Sequence, residues 1–110
     1  MRNIDDRIIK DFLGLIISLK EHIRDMYLFG SRCRDDWRPD SDYDILIVLG
    51  EKNREVIDRL YDAVMEILLS TGKLISLKIF AEKEFNRLKS IPTPFMHNVI
   101  KEGERLGSRN

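Results

Sequence analysis

Apolar residues along the chain recur with two different periods, and the changes of period divide it into elements. Between residues 4 and 24 they return every three or four positions behind an acidic first turn, which predicts an amphipathic helix. The apolar run Met26–Phe29 stops at Gly30 and predicts a short buried strand. Residues Tyr43–Leu49 are rich in Ile, Leu and Val, which predicts a central strand.

The second half of the chain repeats this change from a helical to a strand period. Residues 52–71 have apolar positions at helical spacing and are followed by Gly72, where a helix C-cap is expected. Lys73–Phe80 alternates between two faces and predicts another strand. We expect a short helix over Glu82–Lys89 and one or two helical turns over Phe95–Lys101, which follow the break at two prolines.

The order of these elements predicts an α/β (α+β) fold. It is a small mixed β-sheet of about three to four strands flanked by helices, in a single domain over residues 1–110. The residues after Gly103 are expected to be a frayed tail.

Composition narrows the class of partner. Nineteen basic residues balance nineteen acidic ones, so no overall positive field is available to hold a nucleic-acid backbone. The longest apolar stretch, Phe12–Leu19, is too short to cross a bilayer and no signal sequence opens the chain, which predicts a cytoplasmic protein with no membrane contact. Cys33 is the only cysteine, which excludes an internal disulfide and a cysteine-based zinc site.

Two aspartates at the start of the central strand are candidate metal ligands. Asp42 and Asp44 are two residues apart, so in a strand their carboxylates point to the same face. Two adjacent negative charges repel each other, and a shared cation removes that conflict. Hard oxygen ligands suit Mg²⁺ that is held together with substrate phosphates. We therefore predict a magnesium site formed by these two residues.

The residues after the first strand are candidate phosphate ligands. Gly30 permits close approach of a backbone, and Ser31 with the amides that follow can donate hydrogen bonds to phosphate. Arg32 can add bidentate, charge-assisted contacts. A phosphate-binding loop beside a metal-binding pair is what phosphoryl or nucleotidyl transfer needs, because that chemistry depends mostly on positioning and charge neutralisation.

The run from Gly30 to Asp44, with Gly-Ser followed after a short loop by Asp-x-Asp, resembles the nucleotidyltransferase superfamily that includes DNA polymerase β and kanamycin nucleotidyltransferase. Length, strand order and the ending Pro94 to Gly103 are similar to the minimal nucleotidyltransferases, many of which are encoded beside a HEPN-domain protein. The resemblance implies transfer of AMP from ATP. The resemblance also implies that Asp42 and Asp44 hold two Mg²⁺ ions and that Gly30 and Ser31 hold the triphosphate. It also implies an antitoxin whose acceptor is a tyrosine of a partner HEPN toxin.

The chain departs from that superfamily at one position. A third carboxylate normally comes from the next strand, and Ser76 stands where we align it. Serine is a poor Mg²⁺ ligand and is no base near neutral pH without help. Lys78 points the same way and is a candidate phosphate contact, and Glu82 and Glu84 are candidates to replace the missing carboxylate. The departure favours an alternative from another class, a catalytically inactive module that binds nucleotide or partner.

Other candidates carry less weight. His22 and His97 are far from any other expected ligand, and Trp37 is expected to pack over its own domain. A nucleic-acid end-modifying enzyme is disfavoured by the zero net charge. The chain lacks the second lobe of larger nucleotidyltransferases, so a partner must supply what is missing. A HEPN-domain protein and a homo-oligomer both remain open.

Overall fold

A computed structural model describes residues 7–29 and 43–108. In these residues, four strands form one mixed sheet with helices on both faces, as the element order predicted. The bounds are α1 Arg7–Leu15, a 3₁₀ turn Ile17–Leu19, β1 Ile23–Phe29, β2 Tyr43–Leu49, α2 Arg54–Thr71, β3 Ile75–Ala81, α3 Glu82–Lys89, α4 Pro94–His97, a π-helical turn Asn98–Glu102 and β4 Glu104–Ser108.

The sheet has the strand order β3-β2-β1-β4. β1 is antiparallel to both β2 and β4, whereas β2 and β3 are parallel and are joined by α2. Ile45, Leu46 and Ile47 of the central strand β2 are fully buried, because helices cover the sheet on both sides.

The larger core lies between the sheet and the pair α1 and α2. Alternate residues of β2 and β3, among them Ile45 and Leu77, point their side chains into this core. The helices contribute their apolar stripes, including Phe12 from α1 and Leu60 from α2, both fully buried. A smaller core lies on the opposite face under α3, α4 and the π-helical turn, and its buried residues are Phe29, Leu46, Val48, Phe85, Met96 and Val99.

Both ends of α2 are capped by the residues that precede and follow it. The Asn53 side chain accepts hydrogen bonds from the amides of Glu55 at 2.9 Å and Val56 at 3.3 Å. At the other end, Gly72 adopts a left-handed conformation with φ of 77°, and its amide donates to the carbonyl of Leu68. The prediction of a C-cap at Gly72 is confirmed.

The prediction of one helix over residues 4–24 is wrong in its second half; residues 4–6 lie outside the described part of the chain. α1 ends at Leu15, a 3₁₀ turn follows, and Ile23 already begins β1. Ile16, Leu19 and Ile23 are nevertheless buried at 2%, 4% and 7% exposure. The three-to-four spacing therefore marked which residues enter the core, but not the conformation of the backbone between them.

The frayed tail predicted after Gly103 is also wrong. Residues Glu104–Ser108 form β4 and pair with β1 from Leu28 back to Asp25. Leu106, at 9% exposure, packs into the larger core. An edge strand with one buried apolar residue leaves little periodic signal in the sequence.

Candidate functional site

Asp44 lies in a row of three residues that crosses the sheet near one edge. It is the second residue of β2 and half-buried, with Phe29 of β1 opposite it on one side and Ser76 of β3 on the other. Neighbouring strands lie about 4.8 Å apart, so the backbones of the three residues are adjacent. Ser76, which the resemblance aligns with a third carboxylate, therefore lies directly beside Asp44.

β3 presents polar side chains on the face that carries Asp44. Its alternate residues Ile75 and Leu77 enter the larger core, which leaves Ser76 and Lys78 on the opposite face. Ser76 is half-buried and Lys78 is exposed. Within residues 7–29 and 43–108, Lys78 has no ion-pair partner. This face of β3 therefore offers a hydroxyl and an uncommitted ammonium group, and no carboxylate before the start of α3.

Aromatic side chains form an apolar surface beside this row. The ring of Phe95 contacts Phe29 edge-on, with centroids 5.6 Å apart and planes at 87°. The same ring lies 6.5 Å from that of Phe80, two residues beyond Lys78 on β3. Apolar surroundings lower the effective dielectric, which strengthens any interaction of the Asp44 carboxylate with a cation.

Most of the predicted site residues lie outside the described part of the chain. These are Gly30, Ser31, Arg32 and Asp42, together with Cys33 and Trp37. The described sheet nonetheless bounds the segment that carries them, because β1 ends at Phe29 and β2 begins at Tyr43 on the same edge. Their roles as metal and phosphate ligands stay predictions.

No group of three His, Cys, Asp or Glu side chains suited to a metal ion occurs in the described residues. Asp44 is thus the one predicted metal ligand whose position is described. His22 and His97 are both exposed, and no role for either one follows from its surroundings.

A polar cluster on β1 and β4 was not foreseen from the sequence. The Asp25 carboxylate accepts hydrogen bonds from Arg105 Nε at 2.9 Å and Arg105 Nη2 at 3.0 Å, and from the Tyr27 hydroxyl at 2.9 Å. Burial first, and then the hydrogen bond to Asp25, raise the pKa of Tyr27 above its ordinary value. Asp25 and Arg105 are eighty positions apart. This cluster therefore fastens β4 to the sheet, and no local pattern could have revealed it.

The carboxylate of Glu84 stabilises the connection between β3 and α3. Glu84 Oε1 accepts a hydrogen bond from the amide of Ala81 at 2.9 Å and lies 3.1 Å from Lys52 Nζ. The hydrogen bond from Ala81, and then that from Lys52, hold the pKa of Glu84 below its ordinary value. Because its partners hold Glu84 at the start of α3, it is a poor substitute for the carboxylate missing at Ser76.

Comparison with known proteins identifies the class. Residues 13–110 match the family described as Polymerase beta, Nucleotidyltransferase. The chain is also 35% identical over 103 residues to a Methanocaldococcus jannaschii protein named Putative protein adenylyltransferase MJ0604, covering 93% of this chain and 97% of the relative. The chain therefore belongs to the polymerase beta nucleotidyltransferase family.

Solved structures share the fold. One is a crystal structure described as a putative nucleotidyltransferase from Sulfolobus solfataricus, with 27% identity and a TM-score of 0.58, covering 94% of this chain and 79% of that one. Another is the MNT antitoxin complex with a tri-AMPylated HEPN toxin from Shewanella oneidensis, with 16% identity and a TM-score of 0.51, covering 93% of this chain and 73% of that one.

Among the described residues, no helix is long and apolar enough to span a membrane.

Proposed function

We propose that this chain is a Mg²⁺-dependent nucleotidyltransferase that transfers AMP from ATP to a protein acceptor. The observation that carries the proposal is the row Phe29, Asp44 and Ser76. The row lies at the edge where β1 ends before the Gly-Ser motif and β2 begins within the Asp-x-Asp motif. On this proposal, a phosphate-binding loop and a carboxylate pair join the sheet at this edge, as nucleotidyl transfer requires.

In the proposed reaction, an acceptor hydroxyl oxygen attacks the α-phosphorus of ATP. A new P–O bond forms, the bond to the β,γ-diphosphate breaks, and pyrophosphate leaves. The hydroxyl proton passes to a base. Gly30, Ser31 and Arg32 are the residues proposed to hold the triphosphate, and Asp42 and Asp44 are proposed as metal ligands and catalytic carboxylates. Their task is to align the attacking oxygen with the leaving group.

The donor set fits Mg²⁺. Asp44, half-buried at a sheet edge, supplies the carboxylate oxygens of this set, whereas the hydroxyl of Ser76 beside it is a poor ligand. Hard oxygen donors that leave room for water and phosphate are what this ion prefers, and when bound it would neutralise phosphate charge. Lys78, exposed on the same face of β3, is proposed to contact a phosphate and to supply part of that neutralisation.

The proposed acceptor is a tyrosine of a partner HEPN toxin, which the modification would silence. Two comparisons support this choice. The Methanocaldococcus jannaschii relative is named as a protein adenylyltransferase, and the Shewanella oneidensis complex joins an MNT antitoxin to a tri-AMPylated HEPN toxin. On this proposal the chain acts as the antitoxin of a two-protein system.

One observation favours a second candidate, a catalytically inactive module that binds nucleotide or partner. Ser76 lies directly beside Asp44, where a third carboxylate would complete a metal site or act as base. In this alternative, the chain neutralises its partner by covering it and transfers nothing.

The experiment that separates the two uses ATP labelled at the α-phosphate, Mg²⁺ and the co-encoded partner protein. Transfer of label by the wild-type chain, lost in Asp44→Asn, is the expected result. Lys78→Ala should lower transfer at limiting ATP, and Lys83→Ala, which removes an exposed lysine from α3, is its matched control. No labelled partner from the wild type, with strong labelling from Ser76→Asp, would favour the inactive module.

A further inference from the structure

The outer face of α2 carries an apolar stripe that no other described element covers. Tyr61, Met65 and Leu69 lie four residues apart and are 49%, 52% and 80% exposed. With a rise of about 1.5 Å per residue, the stripe follows the helix for about 12 Å. It is distinct from the buried stripe of α2, which packs into the larger core through residues such as Leu60 and Ile67. Large apolar side chains exposed in a row mark an interaction surface more often than isolated ones do.

A row of carboxylates runs alongside this stripe. Asp58, Asp62 and Glu66 also lie four residues apart and are exposed. Within the described part of the chain none of the three has an ion-pair partner. Two other exposed acids of the helices pair with a basic residue four positions away, Asp11 with Arg7 at 3.9 Å and Glu55 with Arg59 at 3.6 Å. The three carboxylates of the acidic row therefore differ from those two helical acids, because they have no such basic partner.

This arrangement is unfavourable for the isolated helix. Like charges at i and i+4 destabilise a helix. An exposed apolar stripe adds a further cost in water. Positions that break local rules together, on one surface, are expected where a partner compensates them.

We propose that the Tyr61, Met65 and Leu69 stripe with its acidic row is the docking surface for one amphipathic helix of a partner protein. The chemistry of the surface specifies this helix: an apolar stripe to cover the three side chains, and lysines or arginines along one flank to face the three carboxylates. Helices recognise one another in this way through anchors at i and i+4.

The charges also argue against a second copy of this chain as the occupant. An antiparallel two-fold pairing of α2 with itself would put both acidic rows on the same side of the interface. Like-charge juxtaposition disfavours such a pair. A helix with basic side chains on that side is favoured, and complementary charge would speed its association.

The docking surface is remote from the candidate site. α2 packs on the sheet face that receives Ile45 and Leu77, whereas Asp44 and Ser76 lie on the opposite face. A helix bound to α2 therefore leaves that face of the sheet open. The inference does not rest on the proposed transfer reaction, since it concerns a different surface of the molecule.

The test uses two stapled helical peptides with the same apolar stripe, one flanked by lysines and one by glutamates. Binding to the full chain is measured by fluorescence anisotropy at low salt. The lysine-flanked peptide should bind about tenfold more tightly, since a few exposed charge pairs together give about that factor. Glu66→Lys should remove most of this preference, and Leu69→Ser should weaken both peptides.

Matched controls lie elsewhere on the chain. Glu51→Lys reverses another exposed glutamate, and Ile91→Ser replaces another exposed apolar residue after α3; both should bind like the wild type. The proposal is overturned if the two peptides bind equally, if Glu51→Lys acts like Glu66→Lys, or if sedimentation shows self-association that Leu69→Ser abolishes. ATP binding, measured on the same variants, should not change.

Discussion

Of Gly14, Gly50, Gly72 and Gly103, all in the described part of the chain, Gly103 has the least room for a side chain. A Cβ added there would lie 2.4 Å from the carbonyl oxygen of Val99 and 3.0 Å from that of Leu28, and both of these atoms belong to the backbone. Val99 lies in the π-helical turn and Leu28 in β1, and both residues are fully buried. The backbone at Gly103 itself is ordinary extended chain, with φ of −73°. Close approach, and not conformation, therefore demands glycine here.

The cost of Gly103→Ala follows from this geometry. Ordinary contacts of a Cβ are 3.4 Å or longer, so relief at Val99 needs a movement of about 1 Å, the difference between 3.4 and 2.4. Overpacking of a fixed interior costs about 1 to 3 kcal/mol, and backbone atoms on both sides favour the upper part of that range. We expect a loss of about 2 to 3 kcal/mol in the free energy of unfolding, and a fall in Tm of roughly 10 °C.

Denaturant unfolding followed by circular dichroism measures this loss, and Gly14→Ala is the matched control. Gly14 lies near the end of α1 with nothing within 4 Å of an added Cβ, so alanine there should raise stability by about 0.5 to 1 kcal/mol. The two identical substitutions should thus act in opposite directions. A Gly103→Ala protein as stable as the wild type would refute the packing described around β4.

Three further predictions concern the C-cap of α2 and the polar cluster on β1 and β4. Gly72→Ala should lower the free energy of unfolding by about 1 kcal/mol, because its φ of 77° disfavours a Cβ, and Gly72→Asn should lose less. Arg105→Ala should speed amide hydrogen exchange in β4 by removing the two hydrogen bonds to Asp25, with Arg105→Lys intermediate. The raised pKa of Tyr27 means that the folded state favours its protonated form, so this contribution to stability is present below about pH 10 and is lost as the pH rises through the folded-state pKa. Unfolding measured at pH 9 and pH 11 should therefore show a smaller alkaline loss in Tyr27→Phe than in the wild type.

The long periodic elements could be predicted because burial on one face determines them. β2 was predicted with its observed bounds, and α2 was predicted to within two residues. The residue before α2 and the glycine after it have the side chain and the conformation that helix ends need. In these segments the local propensity, the apolar period and the tertiary packing agree.

The predictions were wrong where contacts between residues far apart in sequence determine the structure. Nothing local distinguishes a helix from a turn and a strand over Ile16 to Ile23, because all the relevant side chains are buried at helical spacing. β4 depends on the pair Asp25 and Arg105 and on the fit of Gly103 against Leu28, which sequence spacing does not reveal.

The sequence predicts a chemistry for the candidate site, and that chemistry stays a prediction, but the sequence does not predict the geometry of the site. The Gly-Ser and Asp-x-Asp motifs need only residue types and spacing. The position of Ser76 beside Asp44 depends on the register of the parallel strands β2 and β3. Residue types and spacing do not reveal that register. The contact of Phe95 with Phe29 likewise joins residues that are distant in sequence.

We propose that Asp44 and the segment before it form a metal-dependent nucleotide site. Calorimetric titration of ATP with and without Mg²⁺, into the wild-type chain and into Asp44→Asn, tests it most directly. Binding that requires Mg²⁺ and is lost in Asp44→Asn, while Glu51→Lys binds like the wild type, is the result predicted here. ATP binding that is indifferent to both the metal and Asp44 would contradict the account.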